Sequence, residues 1–364
     1  MKLTVEGCRA RQQLLQQVLA DKGLEAAILA ERQYVHYFSG HLCNTLHSAA
    51  LLIKADGTTV LAAAVGTQAD ADNLAADEIV EYAPDAHCTL HCRQLDEATK
   101  ALSAAIPSGA IGSDAHGIAG AVKIGRSAPV DLSPELLHMR RSKHPDEVAA
   151  IRDSIHLTSV MYDTAKATIG PGVDEVDVFS EILAATTREA GEFLEFFGND
   201  FQANSGGGKA RRRKMNAGEL YVLDAGPRLH GYAADNCRSF AVDGSPTDAQ
   251  MKAWQCIDSV FAVVEPAVKP GIKAVDVYNI ADQYFKDAGY AGMIHHLGHG
   301  IGLNPHEPPE LNPEYDAVFD VGNVITMEPG LYADELRAGI RLEENYLVTE
   351  TGVEKLTTYP REMV

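Results

Sequence analysis

Residues 219–242 read ELYVLDAGPRLHGYAADNCRSFAV, and two aspartates in that stretch decide the reading of the chain. Asp224 ends an apolar run, and Asp235 follows eleven residues later. The intervening PRLHG reads as a turn, so a hairpin can bring the two carboxylates together. A strand-embedded aspartate is costly to bury unless it is paired or metal-bound. Two that face each other repel, and one tends to keep a proton. A bound cation removes that conflict.

Three groups of the same kind lie further along. His299 sits in HHLGHGIGLNPHEPP (295–309), Glu328 in VITMEPGLY (324–332) and Glu343 in GIRLEENYLV (339–348). Taken singly, each glutamate reads as a salt-bridge partner and the histidine as a turn residue. Taken together with Asp224 and Asp235, they give four carboxylates and one imidazole. That donor set suits two divalent ions of intermediate hardness, manganese first, with cobalt, zinc or iron as alternatives. It speaks against a structural zinc site of the cysteine type.

The rest of the chain sets the frame. With 364 residues it is long enough for two domains. A net charge of −20 argues against a wholesale grip on nucleic acid or an anionic membrane. No apolar stretch approaches the roughly 20 residues of a membrane span. The N-terminal MKLTVEGCRARQQLLQQ is polar where a signal peptide needs an apolar run, so a cytoplasmic protein is expected. Six cysteines do not make a disulfide scaffold. His87, Cys88, His91 and Cys92 form HCTLHC, a spacing that could bind a soft metal but lacks a distant second pair, so a solvated loop is the expectation.

Periodicity predicts helices over 9–22, 95–105, 147–166, 173–190, 247–264 and 274–286. Strands are expected over 26–29, 49–54, 59–63 and 110–113, with Asp56-Gly57 turning a hairpin. Later strands are expected over 221–223, 231–232, 238–242, 323–327 and 346–348. The charged, proline-bearing DLSPELLHMRRSKHPDE from Asp131 reads as a boundary. The prediction is an α/β N-terminal domain over 1–135 and a mainly antiparallel α+β catalytic domain over 136–364.

The segments LDAG, ADNCRSF, HLGHGIGLNPHE, TMEPG and GIRLEEN resemble, in order and rough spacing, the metallopeptidase family of methionine aminopeptidase, Xaa-Pro aminopeptidase, prolidase and the non-metal enzyme creatinase. QYVHYFSG (33–40) resembles a motif of that family's N-terminal domain, and MRRSKHPDEVAAIR (139–152) the start of its catalytic domain. The resemblance covers nearly the whole chain and implies a pita-bread fold with a curved sheet. It implies that Asp224 is the bidentate ligand of one metal, that Asp235 and Glu343 bridge, and that His299 and Glu328 complete the other. It implies a water or hydroxide between two ions, with Glu328 taking its proton. His295 and His306 resemble the histidines that hold the substrate carbonyl and the oxyanion. Arg341 resembles an arginine that orients the network, although by itself it also reads as a strand salt bridge. His296 reads as packing beside the site. A homodimer is implied, with residues near Tyr34 to His41 of one subunit approaching the site of the other.

One departure stands out. Peptidases of this family carry a further histidine upstream of the first aspartate, yet NDFQANSGGGKARRRKMNAGELYVLDAG (199–226) has none. Family spacing puts it near Gly206, Gly207 or Gly208. The leading expectation is a dinuclear metal-dependent Xaa-Pro aminopeptidase or dipeptidase. One alternative is a non-peptidase hydrolase or lyase acting on a small amide-like or amino-acid-like metabolite. Another is a non-catalytic binding protein of the same fold, which would ordinarily have lost its metal ligands. Lys209 and the run Arg211 to Lys214 could steer an anionic substrate, or form an exposed basic turn or subunit contact. GGGK here lacks the form of a nucleotide P-loop.

Overall fold

A computed structural model describes residues 2–115 and 128–363. The chain forms two compact units, residues 1–140 and 141–364. The sequence alone puts the division at residue 135, five residues earlier. The helix Ser133–Arg141 belongs mostly to the first unit because Glu135 pairs with Lys22 at 2.6 Å and Arg140 lies over the Tyr34 ring.

In the first unit the opening helix, Val5–Lys22, is capped by the Thr4 hydroxyl, which accepts from the Gly7 amide, and stops at Gly23 with φ 66°. The strand Ala26–Leu29 is fully buried, as a continuous apolar run covered on both faces must be. It pairs antiparallel with Ala50–Lys54 and parallel with Ile111–Ser113. The expected hairpin is present: Thr59–Ala64 returns antiparallel on Ala50–Lys54, and Asp56 accepts from the Thr58 amide at 2.8 Å. The QYVHYFSG motif forms the helix Arg32–Ser39, which sequence periodicity did not reveal. It buries Tyr34 through Ser39. These residues are therefore core, and the part of the 34–41 segment open to a partner subunit is confined to its half-buried end at Gly40 and His41.

In the second unit the helices do the covering and the strands carry the chemistry. Pro145–Thr168 starts at a capping box between His144 and Glu147, and Gly170-Pro171-Gly172 separates it from Glu175–Ala190. Met161, Tyr162, Val178 and Ile182 of this pair pack on Tyr221, Leu223 and Phe240. Those residues belong to an antiparallel sheet in which Leu220–Ala225 lies between Asn236–Ala241 and Gly198–Ala203. A second pair of helices, Asp248–Val264 and Ala274–Asp287, packs Ile257, Phe261, Val277 and Phe285 against Ile325, Met327 and Tyr346. These lie in the sheet built on Val324–Met327 and Glu344–Val348. Every strand pair of this unit among the described residues is antiparallel.

Arg238 ties the two sheets together. It is fully buried and pairs with buried Glu344 at 3.2 Å. Its other donors reach the carbonyls of Cys237, Glu343, Tyr359 and Pro360. The C-terminal segment is thereby tied to the strands that begin directly after Asp235 and Glu343. Removing one partner of a buried, hydrogen-bonded pair is far costlier than replacing both. Arg238→Met should lower unfolding free energy by about 3–5 kcal/mol, at the lower end because Lys355 also reaches Glu344 at 3.1 Å. Urea unfolding followed by circular dichroism checks this, and a loss below about 1 kcal/mol would contradict it.

Candidate metal centre

Asp224 is the penultimate residue of its buried strand, opposite Cys237 in register. The turn through Gly231 carries the chain back so that Asp235 enters the next strand beside it. Glu343 sits between the strands Ala338–Arg341 and Glu344–Val348, and its amide donates to the Cys237 carbonyl at 3.0 Å. Ligand atoms of Asp224, Asp235 and Glu343 all lie within 4.8 Å of one another, as do those of His299, Glu328 and Glu343.

His299 owes its position to the glycines around it. A Cβ on Gly298 would lie 2.1 Å from the Thr326 carbonyl oxygen, and one on Gly300 2.3 Å from that of Pro308. The strands close in on both sides of His299 because its neighbours have no side chain. Nδ1 of His299 faces the Gly300 carbonyl at 3.0 Å, which leaves Nε2 turned to Glu328 Oε1 at 3.4 Å and Asp235 Oδ2 at 3.7 Å. Glu328 follows the strand Val324–Met327, its amide fixed to the Leu297 carbonyl at 2.7 Å.

All five residues converge, and His295, His306 and Arg341 join them in one cavity of about 450 Å³, a size suited to a small ligand. His306 stacks on His299 with ring centroids 3.7 Å apart. Burial, then the His299 charge, pushes the His306 pKa down to about 4, so its ring is neutral at pH 7. Burial likewise lowers His295, whose Nε2 meets the Tyr332 hydroxyl at 3.1 Å. Arg341 donates to Asp224 Oδ2 at 2.7 Å and to the Tyr332 hydroxyl at 3.1 Å. The arginine is a member of the cluster rather than an ordinary strand salt bridge.

Three participants were not assigned to the site by sequence: His296 reads there as packing, and Tyr332 and Asp200 are not singled out. His296 approaches Glu328 Oε1 at 3.0 Å. Burial works against its charge, but the hydrogen bond and charge of Glu328 outweigh burial and raise its pKa. Tyr332 has its hydroxyl pKa pushed up to about 12, chiefly by burial. Asp200 lies opposite Asp224 across adjacent strands and bonds Arg341. A second histidine in HHLG and the tyrosine in EPGLY are visible in sequence, but nothing in their spacing distinguishes them from packing residues.

The carboxylates do not suit one another without a cation. Burial raises the pKa of Asp224, and raises Asp235 and Glu343 well above the usual range, with the neighbouring carboxylates adding to the effect in each case. Glu328 goes the other way: burial opposes its charge, but the bonds from His296 and His299 hold it well below the usual range. Both oxygens of Glu343 are buried with no hydrogen-bond partner. A buried carboxylate left unpartnered is costly, whereas as a metal ligand it is satisfied. The residues present therefore fit a pair of divalent cations.

The other candidates resolve differently. Gly206 lines the cavity wall near the place expected for the further histidine. A Cβ there would lie 3.2 Å from the Tyr332 ring, so Tyr332 occupies part of the space that a side chain would need. Arg211 pairs with Glu175 at 2.7 Å and Arg213 with Glu219, which takes both out of substrate steering. The Arg212 side chain is 77% exposed, as expected of a solvated basic turn. Cys88 and Cys92 are exposed and free, and HCTLHC contributes to none of the converging ligand groups among the described residues.

Residues 149–350 match the family described as metallopeptidase family M24, and residues 11–142 match the creatinase/prolidase N-terminal domain. The chain belongs to metallopeptidase family M24. It is 29% identical over 237 residues to an uncharacterized peptidase of Staphylococcus epidermidis, covering 64% of this chain and 66% of that protein. It is 36% identical over 158 residues to a Xaa-Pro dipeptidase of Pyrococcus furiosus, covering 43% and 45%. The matched region thus spans just under two thirds of the former relative and less than half of the latter. Among solved structures it is similar to the prolidase of Pyrococcus horikoshii, with TM-score 0.81, 23% identity and coverage of 98% and 100%. It is similar to the X-Pro aminopeptidase of Thermotoga maritima at TM-score 0.81, 22% identity and coverage of 97% and 98%. The two-domain pita-bread architecture of the M24 family is therefore that of this chain.

Cation binding to these carboxylates has a pH signature. Without metal, Asp224, Asp235 and Glu343 hold protons in the fold that the unfolded chain has released above about pH 4. They therefore cost stability progressively as pH rises from there toward their folded pKa values. The contribution of Glu328 has the opposite sign but is lost only below about pH 4. The gap in melting temperature between Mn²⁺-loaded and chelator-stripped protein should therefore widen from about pH 5 to pH 7.5. Scanning calorimetry of the two forms measures it, and a pH-independent gap would argue against cations on these groups.

Proposed function

We propose that this chain is a dinuclear metal-dependent hydrolase of peptide bonds preceding proline, of the aminopeptidase or dipeptidase type. The observation that carries the reading is buried Glu343, with both oxygens unpartnered, facing Asp224, Asp235, Glu328 and His299. Asp224, Asp235, His299, Glu328 and Glu343 would hold the two ions. Bound there, they would polarise the scissile carbonyl and acidify an attacking water.

The chain's own residues supply the rest. Glu328 stays ionised, so it accepts the water's proton and delivers it to the departing nitrogen. His296, 3.0 Å from Glu328 Oε1, is placed to share that proton. Neutral His306 offers an N–H to charge developing on the carbonyl oxygen. His295 is oriented by its bond to Tyr332, and Arg341 holds Oδ2 of Asp224 while Oδ1 has no hydrogen-bond partner. Manganese is the proposed metal, supported by the excess of oxygen donors. A homodimer is proposed, with approach to the partner subunit through the end of the 34–41 segment at His41. The six cysteines form no disulfide and two of them are exposed, which favours a reducing compartment such as the cytoplasm. No described helix is long and apolar enough to cross a membrane.

A second reading, hydrolysis of a small amide-like metabolite, is favoured by Gly206 at the wall where a further imidazole is expected. Loss of one catalytic hydrogen bond costs roughly 10²–10³ in rate, so standard proline peptides should turn over slowly. A panel of X-Pro dipeptides, longer X-Pro peptides and small N-acyl or cyclic amides, assayed with Mn²⁺-loaded protein, separates the readings. Selective cleavage at proline is expected; turnover of a small amide with all peptides intact would transfer the function to the metabolite class.

Glu328→Gln should reduce kcat by about 10²–10⁴ while the circular dichroism spectrum is unchanged. Metal content must be measured beside the rate, since an amide is also a poorer ligand. Wild-type turnover with both metals bound would remove Glu328 from its role.

A further inference from the structure

The Arg341 guanidinium is shared between two carboxylates. Nη2 donates to Asp224 Oδ2 at 2.7 Å and also to Asp200 Oδ2. Nη1 is occupied by the Tyr332 hydroxyl, and Nε lies 3.8 Å from Glu328 Oε2. Of these partners Asp224 and Glu328 belong to the ligand set and Tyr332 is an uncharged hydroxyl bonded to His295, so Asp200 is the one carboxylate among them outside the ligand set, and it lines the same cavity.

Its position is fixed from the other side by the glycine loop. The Gly208 amide donates to Asp200 Oδ1 at 2.6 Å. At Gly207, with φ 150°, a Cβ would lie 2.5 Å from the same carboxylate. One oxygen of Asp200 is thus taken by the loop and the other by Arg341, and the loop has space for the carboxylate only because residue 207 has no side chain. The Ser205 carbonyl accepts from the Gly339 amide at 3.3 Å, which anchors the loop to the strand that carries Arg341.

The arrangement has an electrostatic consequence. A guanidinium hydrogen-bonded to Asp224 competes with a cation for that carboxylate, and a second anion on the same nitrogen divides its pull. We propose that Asp200 is a positioning residue that draws Arg341 partly off Asp224 and so sets the affinity of Asp224 for its cation. This role rests on the metal-centre reading of the cluster. The loop segment without a histidine then has a task of its own, which is to hold Asp200 against Arg341.

The test is isothermal titration of Mn²⁺ into the chelator-stripped full chain, with the absorption spectrum of the Co²⁺ form as a second readout. Asp200→Asn keeps the shape and removes the charge. It should weaken one of two binding events by about 10–100-fold and shift the Co²⁺ bands. In an Arg341→Gln background the same change should alter that Kd by less than about threefold, because the group through which Asp200 acts is gone. Gly207→Ala, which keeps the charge but crowds the carboxylate, should weaken the same event and serves if Asp200→Asn does not fold. Two cations bound with unchanged Kd in both variants, or an equal effect of Asp200→Asn in the two backgrounds, overturns the role of Asp200 and leaves the metal centre standing. A wild-type chain that binds no divalent cation overturns the metal centre and this role together.

Discussion

Mutual repulsion among four carboxylates buried within a few ångströms of one another is the constraint on which the catalytic domain depends. Asp224, Asp235, Glu328 and Glu343 come from four different places along the chain, and each is nearly inaccessible to solvent. Such a cluster persists only where surrounding structure forces it and an opposite charge compensates it. The forcing comes from antiparallel strands in fixed register, backed by two helix pairs. Compensation comes partly from Arg341 and the imidazoles of His296 and His299. The unpartnered oxygens of Glu343 show that the protein groups do not complete it.

Arg238 and Arg341 divide the work of holding this charge. Arg341 stands within the cavity and touches the acids directly. Arg238 stands behind it, spends most of its donors on main-chain carbonyls, and neutralises Glu344 rather than a cluster member. One side chain therefore acts on the electrostatics of the site and the other on the placement of the strands beneath it. Tyr162 stacks toward the second of these, its ring 5.5 Å from the Arg238 guanidinium, which extends the packing of the first helix pair to the rear of the site.

The convergence of the candidate ligands was far more legible in the sequence than the elements around them. Asp224, Asp235, His299 and Glu328 each lie at the end of an apolar run or beside glycine or proline, where such a residue needs a reason, and Glu343 follows the strand-like GIRL. The domain class and the longer helices were legible for the usual reason, since periodicity survives over many residues. Several short elements around the site were not. Gly298–Gly300 has three residues, Gly330–Ala333 and Ala338–Arg341 have four each, and Gly198–Ala203 mixes glycine and polar residues. Their strand character comes from neighbours far away in sequence. Asp200, His296 and Tyr332 share this limitation, because their roles exist only through partners brought near by those short strands.

The glycines flanking His299 also bear on how the site can change over time. With other strands' carbonyl oxygens where their side chains would be, random substitution at Gly298 or Gly300 perturbs the backbone before it perturbs chemistry. Ile294, on the cavity rim with most of its surface exposed, carries no such restriction. Sequence diversity in a mutagenesis library, or among descendants of this gene, is therefore channelled away from the histidine's own strand toward the rim. New substrate preferences can be sampled there while the apparatus that holds the acids is inherited intact.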